Sequence, residues 1–217
     1  AGRRNRPEPG PDGAAQLASD RKEGQDGQPV AHLPGGENRL DRRYSLLVAG
    51  SAGGRVRSGV RLTAQAAIRS GLYAAQAADY PITVRSGHSL STLVLSPEPL
   101  DFAGVGVPDA LVILSQDGLA KSRALLPRMS PEATVLAFPE VAAVETPARL
   151  VVLDPAAAST RLARADHGLA ACAAALAVLG LFPTEALVAA AADGGRLAEE
   201  LGKVVAAGLE IGAAAGR

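Results

Sequence analysis

Residues 44–79, YSLLVAGSAGGRVRSGVRLTAQAAIRSGLYAAQAAD, decide the fold class. The segment opens on a short apolar run, "YSLLVAG" (44–50), which ends in glycine and reads as a buried strand. "SAGG" (51–54) then breaks the pattern. From Val56 the apolar residues take helical spacing, with Val60, Thr63, Ala64, Ala67 and Ile68 on one face, so an amphipathic helix is expected near 56–70. "GLYAAQAAD" (71–79) returns to strand. A strand, a glycine turn, a helix and a second strand form the opening unit of an α/β sheet.

The pattern repeats downstream. "SLSTLVLS" (89–96) is a third strand, and "DALVILS" (109–115) is apolar throughout, as befits a central strand buried on both faces. "QDGLAKSRALLPRM" (116–129) supplies a helix, and "ATVLAFP" (133–139) and "ARLVVLDP" (148–155) two further strands. Asp154-Pro155 opens a helix, because proline is tolerated in a first turn. The rest reads as helix: 156–165, 168–180, 184–192 and near 196–213. The expected fold is a three-layer α/β/α, Rossmann-like domain over 44–217. It has a mostly parallel sheet, and C-terminal Ala-rich helices cover one face.

Residues 1–43 differ. Their large aliphatics are Leu17, Val30, Leu33 and Leu40, set among Gly, Pro, Asp and Arg, too few to offset the entropy of ordering a chain. An extended N-terminal arm is expected, disordered alone or laid over a partner subunit. Across the chain Lys+Arg and Asp+Glu are both 22, which gives no electrostatic footprint for nucleic acid, and aromatics are only 3%, too few for base stacking. Cys172 is the single cysteine, so no internal disulfide and no self-sufficient cluster site is available. The longest apolar stretch, 168–182, ends at Pro183 and is too short to span a bilayer. With no signal segment legible, the cytoplasm is the expected compartment.

Two segments hold candidate chemistry. The first is the glycine loop: Gly50, Ser51, Gly53, Gly54 and Arg55 lie where α/β proteins cradle phosphates on free N–H groups at a helix start. The dinucleotide fingerprint wants glycine at its first, third and sixth positions, which here are Gly50, Ala52 and Arg55. Ala52 would crowd a pyrophosphate, and Arg55 replaces the glycine needed for close helix packing. The loop also carries no lysine, so it is not a P-loop. Two readings stay open: glycines that merely permit a tight turn, or an edge where Arg55 and Arg57 meet an anion such as a coenzyme A phosphate. The second segment is "VRSGHS" (84–89), in which Arg85, Ser86, Gly87, His88 and Ser89 precede a strand. It is either a plain strand entry or a contact surface, with the Arg85 guanidinium the best donor set. His32 and His167 have no sequence neighbours suggesting a metal site.

The order of these features resembles the gamma subunit, or gamma domain, of the 2-oxoacid:ferredoxin (or other acceptor) oxidoreductases, the pyruvate, 2-oxoglutarate, ketoisovalerate, indolepyruvate and phenylglyoxylate enzymes. In that family a first strand leads to Gly-x-Gly-Gly-Gln-Gly and a helix, and a later segment reads Arg-Gly-Gly-x-Ser. A "PDALVIL"-like strand follows, then Ala-rich helices around Leu-Gly. The counterparts here are Gly50 to Arg55, "VRSGHS", "PDALVILSQD" (108–117) and "GLAACAAALAVLGLFPTEAL" (168–187). Ala52, Gly54 and Arg55 depart from the family's Gly, Gln and Gly, and Ser86 from its middle Gly.

The resemblance implies a non-catalytic gamma subunit in a cytoplasmic complex that decarboxylates a 2-oxoacid oxidatively to an acyl-CoA. Its partners would be thiamine-binding alpha and beta subunits and a ferredoxin-like cluster subunit. Thiamine diphosphate with Mg2+, iron–sulfur clusters of the 4Fe-4S type and coenzyme A would belong to the complex, and this chain alone would bind no cofactor. It also implies that Arg85, Ser86, Gly87, His88 and Ser89 lie toward the catalytic subunits. The alternatives are a free-standing Rossmann-like nucleotide- or CoA-binding protein and an interaction module unrelated to 2-oxoacids.

Overall fold

A computed structural model describes residues 40–79, 87–101 and 105–216. The expected arm, apart from residues 40–43, lies outside the described residues, as do Arg85 and Ser86. The strands are β1 (Tyr44–Ser51), β2 (Tyr73–Asp79), β3 (His88–Ser96), β4 (Ala110–Ile113), β5 (Thr134–Ala137) and β6 (Arg149–Val152). The α-helices are α1 (Val56–Arg69), α2 (Gln116–Ser122), α3 (His167–Leu179), α4 (Thr184–Ala192) and α5 (Ala198–Ala215).

The six strands form one mixed sheet in the order β2-β3-β1-β4-β5-β6. β3 is antiparallel to both β1 and β2, whereas β1, β4, β5 and β6 pair in parallel. Every strand except β3 therefore points the same way. β1 crosses over to β2 toward one edge of the sheet, while β4 crosses to β5 toward the other. Right-handed crossovers then place α1 and α2 on opposite faces, which makes the expected three layers. α1 lies over β2 and β3, with α3, α4 and α5 packed behind it. The other face carries α2 and short irregular segments.

The core follows the pattern. Val48, Leu93, Leu95, Leu111, Ile113 and Leu136 are fully buried in the sheet. In α3 every residue from Gly168 to Leu176 is buried, so the Ala-rich run is an interior helix. Small side chains let its neighbours approach: Gly59 of α1 meets Gly168 and Cys172, and Gly208 and Gly212 of α5 meet Ala170 and Ala174.

Two helix expectations need correction. The helix over 156–165 does not form. The 3-10 turns Pro155–Ala157 and Arg164–Asp166 flank an irregular stretch whose side chains are mostly exposed. A short helix without an apolar face to bury is marginal, and the stretch is held instead by Glu210, which accepts from the Ser159 amide (2.6 Å) and hydroxyl (3.0 Å). The helix over 116–129 ends at Ser122, and Leu126–Arg128 is a 3-10 turn. Pro127 disfavours α geometry at the residue before it and contributes no N–H of its own.

Candidate functional site

In an open α/β sheet the natural site is the crevice beyond the carboxyl ends of the strands, where successive crossovers diverge. Here that point lies between β1 and β4, and the structure brings to it the glycine loop and the described part of the second candidate, Gly87 to Ser89. Ser51 ends β1 opposite His88, and Gly50 lies opposite Ser89. The Ala52 amide donates to the Gly87 carbonyl at 2.8 Å. The glycine loop and the Gly87–Ser89 strand entry are thus one surface. Gly87 (φ 119) and Gly53 (φ 84) hold conformations that side chains resist.

The loop is fastened to β4 by a cluster that sequence reasoning missed. The Ser51 hydroxyl lies 2.8 Å from Asp117 Oδ2, to which it donates, and 2.9 Å from Ser115 Oγ. Ser115 Oγ in turn accepts from the Gly118 amide, capping α2. A side chain at Gly118 would collide with the Ala49 carbonyl, so that glycine lets α2 sit against the end of β1. The signal was present in "LSQDG" (114–118), a Ser at a strand end with Asp two residues on, but its partner Ser51 lies 66 residues from Asp117.

Arg55 closes the other side. It is the one described non-glycine residue with positive φ (52°), and its Nη1 donates to Asp166 at 2.7 Å and Glu200 at 2.6 Å. Hydrogen bonds from Arg55 to Asp166 and then Glu200 hold the guanidinium more firmly protonated than usual. The Gly168 amide donates to the Gly54 carbonyl at 2.8 Å, and a side chain at Gly168 would strike that carbonyl and the Val56 amide. The first turn of α3 therefore packs on the start of α1, where a dinucleotide pyrophosphate would need open N–H groups. Ala52 and Gly53 remain exposed at the tip.

His167 stacks edge-on against Phe138, with ring centroids 5.2 Å apart. Burial lowers its pKa, as does Arg164, against the opposing pull of Glu140 and Asp166. Burial pushes the Cys172 thiol up to about 12, outweighing a hydrogen bond with Thr63, and leaves it inert as a nucleophile. No group of three or more His, Cys, Asp or Glu among the described residues could hold a metal ion. No described helix is long and apolar enough to cross a membrane.

The amino edge is built differently. Asp109 accepts from the Ser45 amide (2.8 Å), the Ser45 hydroxyl (2.7 Å) and Arg42 (2.9 Å). Burial alone would raise its pKa; the bonds from Ser45 and Arg42 outweigh that and lower it. Two shallow cavities of about 200 and 250 Å³ lie beside this staple, the second walled by Leu40, Tyr44, Leu179 and Leu181.

The family model described as pyruvate ferredoxin/flavodoxin oxidoreductase matches residues 45–213. The chain belongs to this family. It is 37% identical over 86 residues to the 2-oxoglutarate synthase subunit KorC of Methanocaldococcus jannaschii, which is 39% of this chain and 46% of that protein. The KorC subunit of Methanothermobacter marburgensis is 36% identical over 78 residues, 36% of this chain and 42% of that one. The matched stretch spans less than half the length of these relatives.

Solved structures share the fold. The gamma subunit of keto/oxoacid ferredoxin oxidoreductase from Geobacter sulfurreducens superposes with a TM-score of 0.65 at 23% identity, covering 80% of this chain and 98% of that one. The 2-oxoglutarate:ferredoxin oxidoreductase from Magnetococcus marinus, solved with 2-oxoglutarate, coenzyme A and succinyl-CoA bound, gives 0.63 at 16% identity. It covers 81% of this chain and 31% of that one. The α/β fold expected from the sequence agrees with both.

Proposed function

We propose that this chain is the gamma subunit of a cytoplasmic 2-oxoacid:ferredoxin (or other acceptor) oxidoreductase complex. The observation that carries the reading is the family match across residues 45–213, nearly the whole described domain. A gamma subunit that is a separate polypeptide and is covered over 98% of its length supports it. The KorC relatives favour 2-oxoglutarate as the substrate. The holoenzyme then decarboxylates the 2-oxoacid, transfers the acyl group to coenzyme A, and passes two electrons to an acceptor.

The chain's own residues do not fit the redox groups. Its single thiol is buried and protonated, and the described residues offer no cluster of metal ligands. Thiamine diphosphate, Mg2+ and the iron–sulfur clusters therefore belong to partner subunits in this reading. The carboxyl edge, Gly50 to Arg55 with Gly87, His88 and Ser89, faces those subunits and borders the coenzyme A path. Ser86 and Arg85, one and two residues before Gly87, adjoin it in sequence. Arg55 serves as a strut, because both carboxylates already engage its guanidinium.

Co-expression with thiamine-binding and ferredoxin-like subunits of such a complex tests this. A complex that retains the chain and oxidises a 2-oxoacid in a coenzyme A-dependent way is expected. A chain that fails to join such a complex, yet binds coenzyme A or an adenine dinucleotide tightly in equilibrium dialysis, overturns the reading in favour of a free-standing nucleotide-binding protein.

A further inference from the structure

The glycine loop leaves β1 with little packing of its own to place it. Ala52 is exposed, and a side chain added at Gly53 or at Gly87 would meet nothing within 4 Å. Its position is therefore set by its fastenings. At the far end Arg55 ties the loop to Asp166 and Glu200, and the Gly168 amide holds the Gly54 carbonyl. At the near end the fastening is Ser51. An ionised carboxylate only accepts, so the Ser51 hydroxyl directs its single proton to Asp117 Oδ2, 2.8 Å away. The Ser115 hydroxyl accepts from the Gly118 amide at 3.2 Å and gives its own proton to Ser51 Oγ at 2.9 Å. The donors of Gly118, Ser115 and Ser51 thus run in one direction and end on Asp117.

We propose that Asp117 is a positioning residue of the carboxyl edge: through Ser51 it sets the place of the Ala52–Gly53 tip and of its join to Gly87. Ser51 is where the two candidate segments meet. It lies opposite His88 in the β1–β3 register, and the next amide, that of Ala52, donates to the Gly87 carbonyl at 2.8 Å. A shift at Ser51 is passed to both. The other side of the latch is firm, because Ser115 caps α2 and the bare Gly118 seats that helix against the Ala49 carbonyl. Asp117 is exposed and engages Ser51 through one oxygen, so a direct contact of its second oxygen with a partner is the competing role. Asparagine separates the two roles. It keeps an oxygen that accepts from Ser51 but presents an amide group where the second carboxylate oxygen was. The latch rests on this geometry; its bearing on coenzyme A rests on the function proposed above.

Amide hydrogen exchange of the full chain reads the latch directly. In Ser51→Ala and in Asp117→Ala the Ala52 amide should exchange about fivefold faster than in the wild type. The Leu114 amide, bonded to the Ala49 carbonyl at 2.9 Å, should keep its rate. The double variant should be no faster than either single one, because both remove the same bond. Asp117→Asn should exchange like the wild type. In the assembled complex the same order should appear in the KM for coenzyme A, raised about fivefold in Ser51→Ala and Asp117→Ala and normal in Asp117→Asn, with kcat within about twofold. Unchanged exchange at Ala52 in the two alanine variants refutes the latch. If Asp117→Asn is as damaging as Asp117→Ala while Ser51→Ala is silent, Asp117 is a direct contact and the inference falls. A wild-type complex that turns over, with a KM indifferent to Ser51→Ala, removes the role in binding. A wild-type chain that joins no complex sinks the proposed function instead, and the order of exchange rates then decides the latch by itself.

Discussion

Arg55 shows how one residue can break a local rule and be repaid from a distance. A left-handed backbone at a non-glycine residue costs about 1 kcal/mol, and the family glycine would avoid it. The compensation comes from Asp166 and Glu200, 111 and 145 residues away, which no reading of the loop could reveal. The two pairs are unequal. The Asp166 side chain is 18% exposed and that of Glu200 54%, so solvent screens the second far more. Asp166→Asn should cost about 1–2 kcal/mol and Glu200→Gln under about 0.5 kcal/mol, read by urea denaturation. Equal losses would show that Arg55 is held by geometry and not by the more sheltered carboxylate, that of Asp166.

Acidity separates two other residues. His167 has a pKa lowered mainly by burial, so the unfolded chain takes up its proton first as pH falls. Its contribution is complete above about pH 6.5 and declines below it, down through the folded value. Asp109 is also depressed, so its contribution is present above about pH 3.9 and is lost as pH falls through its folded value. Melting temperature should therefore drop in two stages on acidification. His167→Gln should remove the first stage and leave the second. An unchanged profile in that variant would assign the first stage to another group.

At the scale of elements, legibility tracked burial. The strands and α1, α3, α4 and α5 were readable because each hides a continuous face, and apolar periodicity reports burial. The 156–165 stretch was misread because alanine favours helix without requiring one. Its placement depends on Glu210 of α5, a tertiary contact with no local signature. Glycines within helices were legible as residues and not as contacts. Gly208 and Gly212 set the α3–α5 distance, and a side chain at Gly208 would strike the Ala170 carbonyl and approach the Ala173 Cβ to 2.7 Å. Gly202 in the same helix has open space around it. Gly208→Val should cost about 3 kcal/mol or more by forcing the helices apart, while Gly202→Ala should stabilise by about 0.5–1 kcal/mol. Chemical denaturation of the two variants checks the pair, and the same sign for both would refute close packing as the reason for Gly208.

At the scale of the molecule, the sequence implied an α/β/α domain but not its strand order. Insertion of β3 antiparallel between β1 and β2 is a long-range choice, made by pairing Tyr44–Ser51 with His88–Leu95. That choice sets Gly87–Ser89 beside the glycine loop and brings the two candidate segments onto one surface. Four helices shield one face of the sheet, whereas the carboxyl edge keeps Ala52, Gly53 and Gly87 exposed. If this edge meets the thiamine-binding subunits, hydrogen exchange should separate it from the rest. On assembly the amides of Gly53 and of Gly87 to Ser89 should slow, since they leave solvent. Amides of α3 from Leu169 to Leu176 should not change, being buried already. Slowing confined to β6, with the carboxyl edge unaltered, would move the subunit interface to the other side of the molecule.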